Sequence, residues 1–396
     1  MSFDIALSGI QAINNQLDTI SNNIANSSTY GFKSGRANFS SMYAGTQPTG
    51  TEIGSLTQSI GLNGGVLNTG RSLDAAINGR GFFVSRDSTG AMLYSRVGIF
   101  SKDQNGYLVD SAGRNVQGYA VVPGSTVPGP MGDIQIPTGQ IPAKASTKMN
   151  YVGNMSADWT PPANPTFNPA DNQSFNKSVL SEAFDSLGTR HTVTQYFVRN
   201  ATNGVDTYYS VDGAAPAATP TTLTFNTSGQ LTAPTTPVTL NLTTAGAAAA
   251  LTVTLDYTGT TQFAGAATTT TNKADGYASG TYVDVTLAKD GSVVAQYSNG
   301  EKQTVATVAL ANFPDEGSLT AVNDTSWTTS SGSGAPLYSA PGTGMAGDLT
   351  TSALEQSNVD ITSELVGLMT SQRNYQANSK VISTESAMMQ SLMQAL

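Results

Sequence analysis

Phe3-Asp4-Ile5-Ala6-Leu7-Ser8-Gly9-Ile10-Gln11-Ala12-Ile13-Asn14-Asn15-Gln16-Leu17-Asp18-Thr19-Ile20-Ser21-Asn22-Asn23-Ile24 lies at the start of the chain, and Phe3, Ala6, Ile10, Ile13, Leu17, Ile20 and Ile24 recur in it at alternating steps of three and four. That repeat gives a helix one apolar face. It predicts a helix over 3–24, about 33 Å long at 1.5 Å per residue. At the other end Ile361, Leu365, Leu368, Gln372, Tyr375, Ser379, Ile382, Ser386, Met389, Met393 and Leu396 keep the same step, predicting a second helix over 360–396 of roughly 50 Å. Gln372, Ser379 and Ser386 interrupt its seam, which weakens a helix pair but fixes register among several. Everything between the two stretches reads as short polar strands and turns. The expected fold is mainly β: nested, discontinuous β-domains with N- and C-terminal α-helices that pair as a coiled coil in an assembly.

The body between the helices divides by texture. Residues 25–70 read as an irregular connector with short strands, glycine being spread through it at Gly45, Gly50, Gly54, Gly61, Gly64 and Gly65. Residues 71–147 form the first part of an inner β-domain, with Asn78-Gly79 and Asn105-Gly106 as hairpin signals. Phe82, Phe83, Tyr94 and Phe100 are its expected core. Residues 148–284 form an inserted outer β-domain, which carries the Pro161-Pro162-Ala163-Asn164-Pro165 run and low-complexity stretches at 214–222 and 243–250. Strand-like runs at 293–297 and 304–310 return to the inner domain, whose second part covers 285–359.

Composition narrows the function. Charge is sparse, with 18 Lys and Arg against 27 Asp and Glu in 396 residues and a net charge of -9. No basic cluster is present to bind nucleic acid or an anionic membrane. The polar face of the first helix carries amides (Gln11, Asn14, Asn15, Gln16, Asn22, Asn23) rather than Lys and Glu, which suits contact with other protein surfaces. No apolar run of about 18 residues exists to insert into a membrane. Met1-Ser2-Phe3-Asp4 lacks the basic start of a cleavable signal. That alone favours the cytosol, although export without a cleavable signal leaves the same sequence.

The chemistry of an active site is missing from the sequence. There is no cysteine, and His191 is the one histidine, so thiolate and multi-histidine sites are excluded. Asp103 to Asp110 lacks the spacing and closing Glu of a calcium loop and reads as a turn between strands. Asp275 and Asp284 are a conceivable carboxylate pair for a glycan hydrolase, which would need them about 5 to 9.5 Å apart in a cleft. The expectation is a non-enzyme with no catalytic, cofactor-binding or metal residues and no cofactor. Its working surface is the helix seam: Phe3, Ile10, Ile13, Leu17, Ile20 and Ile24 with Ile361, Leu365, Leu368, Tyr375, Ile382, Met389 and Leu396 as assembly contacts.

Four further runs carry a resemblance. Asn22-Asn23-Ile24-Ala25-Asn26-Ser27-Ser28-Thr29-Tyr30-Gly31-Phe32-Lys33 comes first, then Asn68-Thr69-Gly70-Arg71-Ser72-Leu73-Asp74 with Gly81-Phe82-Phe83. Tyr94-Ser95-Arg96-Val97-Gly98-Ile99-Phe100 follows, and Leu354-Glu355-Gln356-Ser357-Asn358-Val359-Asp360 leads to Gln372-Arg373-Asn374-Tyr375-Gln376. In this order they resemble the rod and hook group of bacterial flagellar axial proteins. The chain length, the Gly-Phe-Lys-Ser run at 31–34 and the inserted β-domain are similar to the hook members rather than to the shorter distal rod proteins. The resemblance implies a homopolymer outside the cell, a curved hollow tube acting as a universal joint, with the terminal helices lining its channel. It implies neighbours too: a distal rod protein, a hook cap, a hook-length control protein and a hook-filament junction protein. Export would use the flagellar type III apparatus without a cleavable signal peptide. The alternatives are a distal rod protein and, in another class, a secreted adhesin-like binding module.

Overall fold

The computed structural model describes residues 2–121, 128–216, 218–242 and 251–395. Leu396, the 243–250 stretch and Ala217 of the 214–222 stretch lie outside them. The chain is mainly β, with an α-helix at either end: α1 spans Ser2–Ala25 and α2 spans Ile361–Ala395. It separates into two compact units. The first combines Met1–Thr138, Asp284–Gln296 and Lys302–Leu396; the second combines Gly139–Val283 and Tyr297–Glu301.

In the first unit, strands Phe82–Arg86 and Met92–Ser95 form an antiparallel hairpin, and Asn115–Ala120 pairs with Lys302–Val308. Phe82, Tyr94, Phe313 and Trp327 meet edge to face, their ring centroids 4.8 to 5.9 Å apart. Phe83 and Phe100 make a separate T-shaped pair at 5.0 Å. All four aromatics expected in the core are buried. Burial of such rings stabilises this unit by about 1.5 to 3 kcal/mol each.

Two local expectations are corrected. Residues 25–70 hold one short strand, Val66–Asn68, but most of their strand residues lie in one long antiparallel hairpin of β1 (Gly35–Ala44) and β2 (Gln47–Gln58). Register shifts at Asn38/Phe39 and Met42/Tyr43 disturb its alternation, and most of its residues are exposed, so no clean two-residue period is written in the sequence. Asn78-Gly79 does not turn a hairpin either. The strand before it, β4 (Ala75–Asn78), pairs with Asp348–Thr351, a distant segment that outcompetes the local turn. Asn105-Gly106 does lie in the turn that joins the paired strands Phe100–Lys102 and Leu108–Asp110.

The second unit is a sandwich. One sheet orders its strands Val238–Leu242, Leu251–Asp256, Lys148–Asn154 and Thr268–Ala274; the other runs from Lys177–Phe184 through Arg190–Arg199, Val205–Val211 and Thr221–Phe225 to Leu231–Ala233. Their inner faces contribute Tyr151, Val253 and Leu255 on one side and Val193, Phe197 and Val205 on the other. A chain of buried polar groups is paired inside it, as burial demands. The Tyr209 and Tyr257 hydroxyls lie 3.0 Å apart, Tyr257 donates to Gln195 Oε1 at 2.7 Å, and Gln195 Nε2 donates to Ser181 Oγ at 2.9 Å.

Candidate assembly site

The few charges of this chain are not all at its surface. Lys33 follows α1, Arg96 follows the strand Met92–Ser95, and Glu355 ends the strand Ala353–Glu355, which pairs with β3 (Val66–Asn68). Lys33 Nζ donates to Glu355 Oε1 at 2.7 Å, and Arg96 Nη1 stands 3.5 Å from Glu355 Oε2, with all three side chains no more than 1% exposed. Gly64 N also donates to Glu355 Oε1, at 3.0 Å. The cations reach backbone oxygens as well, Lys33 that of Leu62 at 2.6 Å and Arg96 Nη2 that of Gly79 at 2.8 Å. Burial pulls the Lys33 pKa below its ordinary value, and Glu355 opposes that pull.

Around this triad the two chain ends are laced together. Gly31 N donates to Glu355 O at 2.8 Å and Gln356 N to Gly65 O at 2.7 Å. Asn358 accepts from Ser34 N through Oδ1 at 2.7 Å and donates through Nδ2 to the carbonyls of Ser59 and Leu62, at 2.9 and 3.0 Å. Two glycines are required by close approach: a Cβ at Gly64 would stand 1.9 Å from the Gln356 carbonyl oxygen, and one at Gly98 would stand 1.9 Å from that of Ala75. Runs quoted above as a resemblance therefore converge on one buried junction, from which both helices leave.

Asp360 starts α2, its carboxylate accepting from Thr362 N at 2.9 Å and Ser363 Oγ at 3.0 Å. The helices pack antiparallel, in steps of seven residues along each. Asn23 Nδ2 donates to Glu364 Oε1 at 2.8 Å, Ser371 Oγ donates to Gln16 Oε1 at 3.0 Å, and a Cβ at Gly9 would lie 2.8 Å from Asn378 Nδ2. Asn23 also exchanges two 2.8 Å hydrogen bonds with the Gly35 backbone, tying α1 to the start of β1.

The sequence-derived assembly residues fall unequally on this pair. On α1, Ile13 and Ile20 are buried, Ile10, Leu17 and Ile24 are half-buried, and Phe3 is exposed. On α2, Leu368 and Ile382 are half-buried, while Ile361, Leu365, Tyr375 and Met389 are exposed. The face of α2 that meets α1 is Glu364, Gly367, Ser371 and Asn378 instead, turned by one residue, roughly 100°, from the apolar stripe. Val366, Met369, Val381, Met388, Leu392 and Met393 are exposed as well. Lys33, Arg96, Glu355 and the amide rungs were missed in the sequence. Their signal was an ionisable residue standing in each of three runs of a chain otherwise poor in charge.

His191 and Asp275 are accounted for by structure. His191 is buried with Nδ1 2.7 Å from Asp212 Oδ2 and Nε2 3.3 Å from Asp185 Oδ2. The Asp212 hydrogen bond, helped by Asp185, raises the His191 pKa above 6.5, and Asp212 is lowered below 3.8 in turn. The contribution of the protonated ring is full below pH 6.5 and is lost as pH rises through the raised value. That of the aspartate is lost as pH falls through its lowered value. Thermal melts of the full chain should therefore show the second unit losing about 2 °C between pH 6 and 8. His191→Gln should flatten that dependence, and a variant with the wild-type slope would count against the ion pair. Asp275 accepts from Thr147 N at 2.7 Å and Lys148 N at 2.8 Å, and although burial works against it these bonds hold it at about 2. Such a group is no proton donor for glycan cleavage. Among the described residues no group of three or more His, Cys, Asp or Glu is placed to hold a metal, and no helix is long and apolar enough to cross a membrane.

A β body whose two ends leave one buried junction as a helix pair, with the apolar side of the longer helix uncovered, defines a structural subunit of an axial polymer. Family profiles agree along the chain. Residues 3–33 match the flagella basal body rod protein family, 76–157 the flagellar hook protein FlgE/F/G D1 domain, 154–277 the flagellar basal body protein FlaE D2 domain and 350–395 the flagellar basal body rod FlgEFG protein C-terminal family. The chain is 38% identical to the flagellar hook protein FlgE of Salmonella typhimurium, across 99% of both chains, and 36% identical to that of Escherichia coli, again across 99% of both. The FlgE of Treponema pallidum is 30% identical over 98% of this chain and 97% of its own. The crystal structure of Helicobacter pylori flagellar hook protein FlgE2 shares the fold, with a TM-score of 0.53, 14% identity, and coverage of 73% of this chain and all of that one. This chain belongs to the flagellar hook protein FlgE family.

Proposed function

We propose that copies of this chain polymerise, through the open sides of α1 and α2, into the curved hollow tube of the flagellar hook, the universal joint that passes torque from rod to filament. The observation that carries this reading is the uncovered apolar stripe of α2, with Ile361, Leu365, Tyr375, Met389 and Met393 exposed. An apolar face of that length is stable in water only when covered. Neighbouring helices of the same kind cover it if the contact is head to tail and does not close, which yields a helical filament. In this reading the helices line the channel and residues 25–70 bridge neighbouring subunits. The subunit works outside the cell, exported by the type III apparatus without a cleavable signal. The same reading places a distal rod protein, cap, length-control protein and filament-junction protein beside the assembly.

Deletion of residues 1–24 and 360–396 should leave soluble monomers under conditions where the full chain forms tubes by electron microscopy. Tubes from the doubly truncated chain would sink the assignment of the helices, and straight tubes from the full chain would point to a rod rather than a hook.

A further inference from the structure

Beyond the Gly9 and Asn378 rung, α1 has only Ser2–Ser8 left while α2 continues through Ser379–Ala395. The last ten or so residues of α2 therefore run past the end of α1. Met388, Met389, Leu392 and Met393 stand on this overhang at 59, 56, 58 and 76% exposure. Three thioethers within two turns of one helix are thus open to solvent in the free subunit. Met149 and Met155, in the core of the second unit, are at 1 and 0%. The chain has no cysteine, so no thiol competes for an oxidant and methionine sulfur is its most readily oxidised group.

We propose that Met388, Met389 and Met393 form a reversible oxidation site that controls assembly of the free subunit, with a peroxide as the oxidant. This rests on the polymer reading above. A sulfur lone pair attacks the distal peroxide oxygen, the O–O bond breaks, and an S–O bond forms. Sulfur loses two electrons to become the sulfoxide, and hydrogen peroxide, taking up those electrons and a proton shift, leaves as water. The product is polar; at 389 and 393 it stands in the apolar stripe that the helix offers to a neighbour, and at 388 beside that stripe on the overhang that α1 leaves uncovered. Covering three sulfoxides costs the contact what covering three thioethers contributed. Thioredoxin-coupled methionine sulfoxide reductases, which act on exposed sulfoxides, would reverse the change.

The test treats purified full-length subunit with hydrogen peroxide, maps sulfoxides by peptide mass spectrometry, and measures the concentration at which tubes begin to form. Sulfoxide should appear at 388, 389 and 393 well before 149 and 155, the threshold concentration should rise about tenfold or more, and sulfoxide reductases should restore it. The triple variant Met388→Leu, Met389→Leu, Met393→Leu keeps an apolar, helix-favouring side chain at each position and should keep its untreated threshold after the same dose. Oxidised wild type that polymerises at the untreated threshold would overturn the proposal while leaving the polymer reading intact. A triple variant that loses assembly equally on oxidation would do the same, because the damage would then lie at other methionines. Should that variant not polymerise even before treatment, the variant Met345→Leu, Met369→Leu decides: Met345 and Met369 are each 59% exposed, and a threshold that no longer rises on oxidation once they are removed would overturn the proposal, whereas the wild-type rise would support it. Untreated wild type that forms no tubes would remove both the polymer reading and this proposal.

Discussion

Glu355→Ala should destabilise the first unit by about 3 to 5 kcal/mol, because removing one member of a buried ion cluster leaves the others uncompensated in a low-dielectric interior. Here the others are two cations, Lys33 and Arg96, neither more than 1% exposed. The loss reaches beyond electrostatics. Gly64 N loses its acceptor, and the strand Ala353–Glu355 is what holds β3 in place. Denaturant unfolding of the full chain should show the transition of the first unit moving to lower denaturant while that of the second unit stays put. Amide exchange at Gly64 and its neighbours should speed up. The same substitution in a Lys33→Met background should cost less, since one of the stranded charges is gone, and the difference reports the coupling directly. If Glu355→Ala unfolds within about 1 kcal/mol of wild type, the triad is not what pins the chain ends. If the cost is unchanged by Lys33→Met, the strand pairing rather than the charge is responsible.

Such a junction was only half visible in the sequence. The runs around Lys33, Arg96 and Glu355 were conspicuous as motifs, yet nothing in linear order says that residues 322 positions apart share a hydrogen bond. A charge is assigned to the surface by default, and only the fold shows which three are inside. Core aromatics were more legible. Phe82, Phe83, Tyr94 and Phe100 sit in short apolar strands, where burial is the ordinary outcome. The hairpin β1–β2 was not legible, because both bulges and solvent on most of its surface erase the two-residue period that marks a half-buried strand. Asn78-Gly79 misled for the opposite reason. It is a strong local turn signal, but β4 finds its partner at least 270 residues away at Asp348–Thr351, and local propensity yields to a long-range pairing that covers a buried strand. The helices themselves could be read almost to the residue from their period, but which side of α2 meets α1 could not, since the apolar stripe and the polar rungs are both seven-residue patterns and differ only by rotation.

That rotation is the basis of the second large effect. Ser371 is 1% exposed and donates to Gln16 in the middle of the helix pair, between the Asn23–Glu364 and Gly9–Asn378 rungs. A seam of small and amide side chains holds two helices weakly but in one register, because a slip by one heptad separates donors from acceptors, whereas an apolar seam tolerates it. Ser371→Leu should break the middle rung twice over, forcing a branched side chain into a close approach, at about 1 to 3 kcal/mol, and leaving Gln16 without its donor. Because this rung joins α1 to α2 and bonds to no strand, both β units should melt as in wild type. Tube formation should instead be lost or shifted to a different curvature, as the outward apolar side of α2 would be presented at the wrong angle to a neighbour. Glu364→Gln is the control: an amide oxygen still accepts from Asn23, so tubes of wild-type shape should form. Tubes of wild-type curvature from Ser371→Leu at wild-type concentration would show that the neighbours, not the rungs, set the register of the pair.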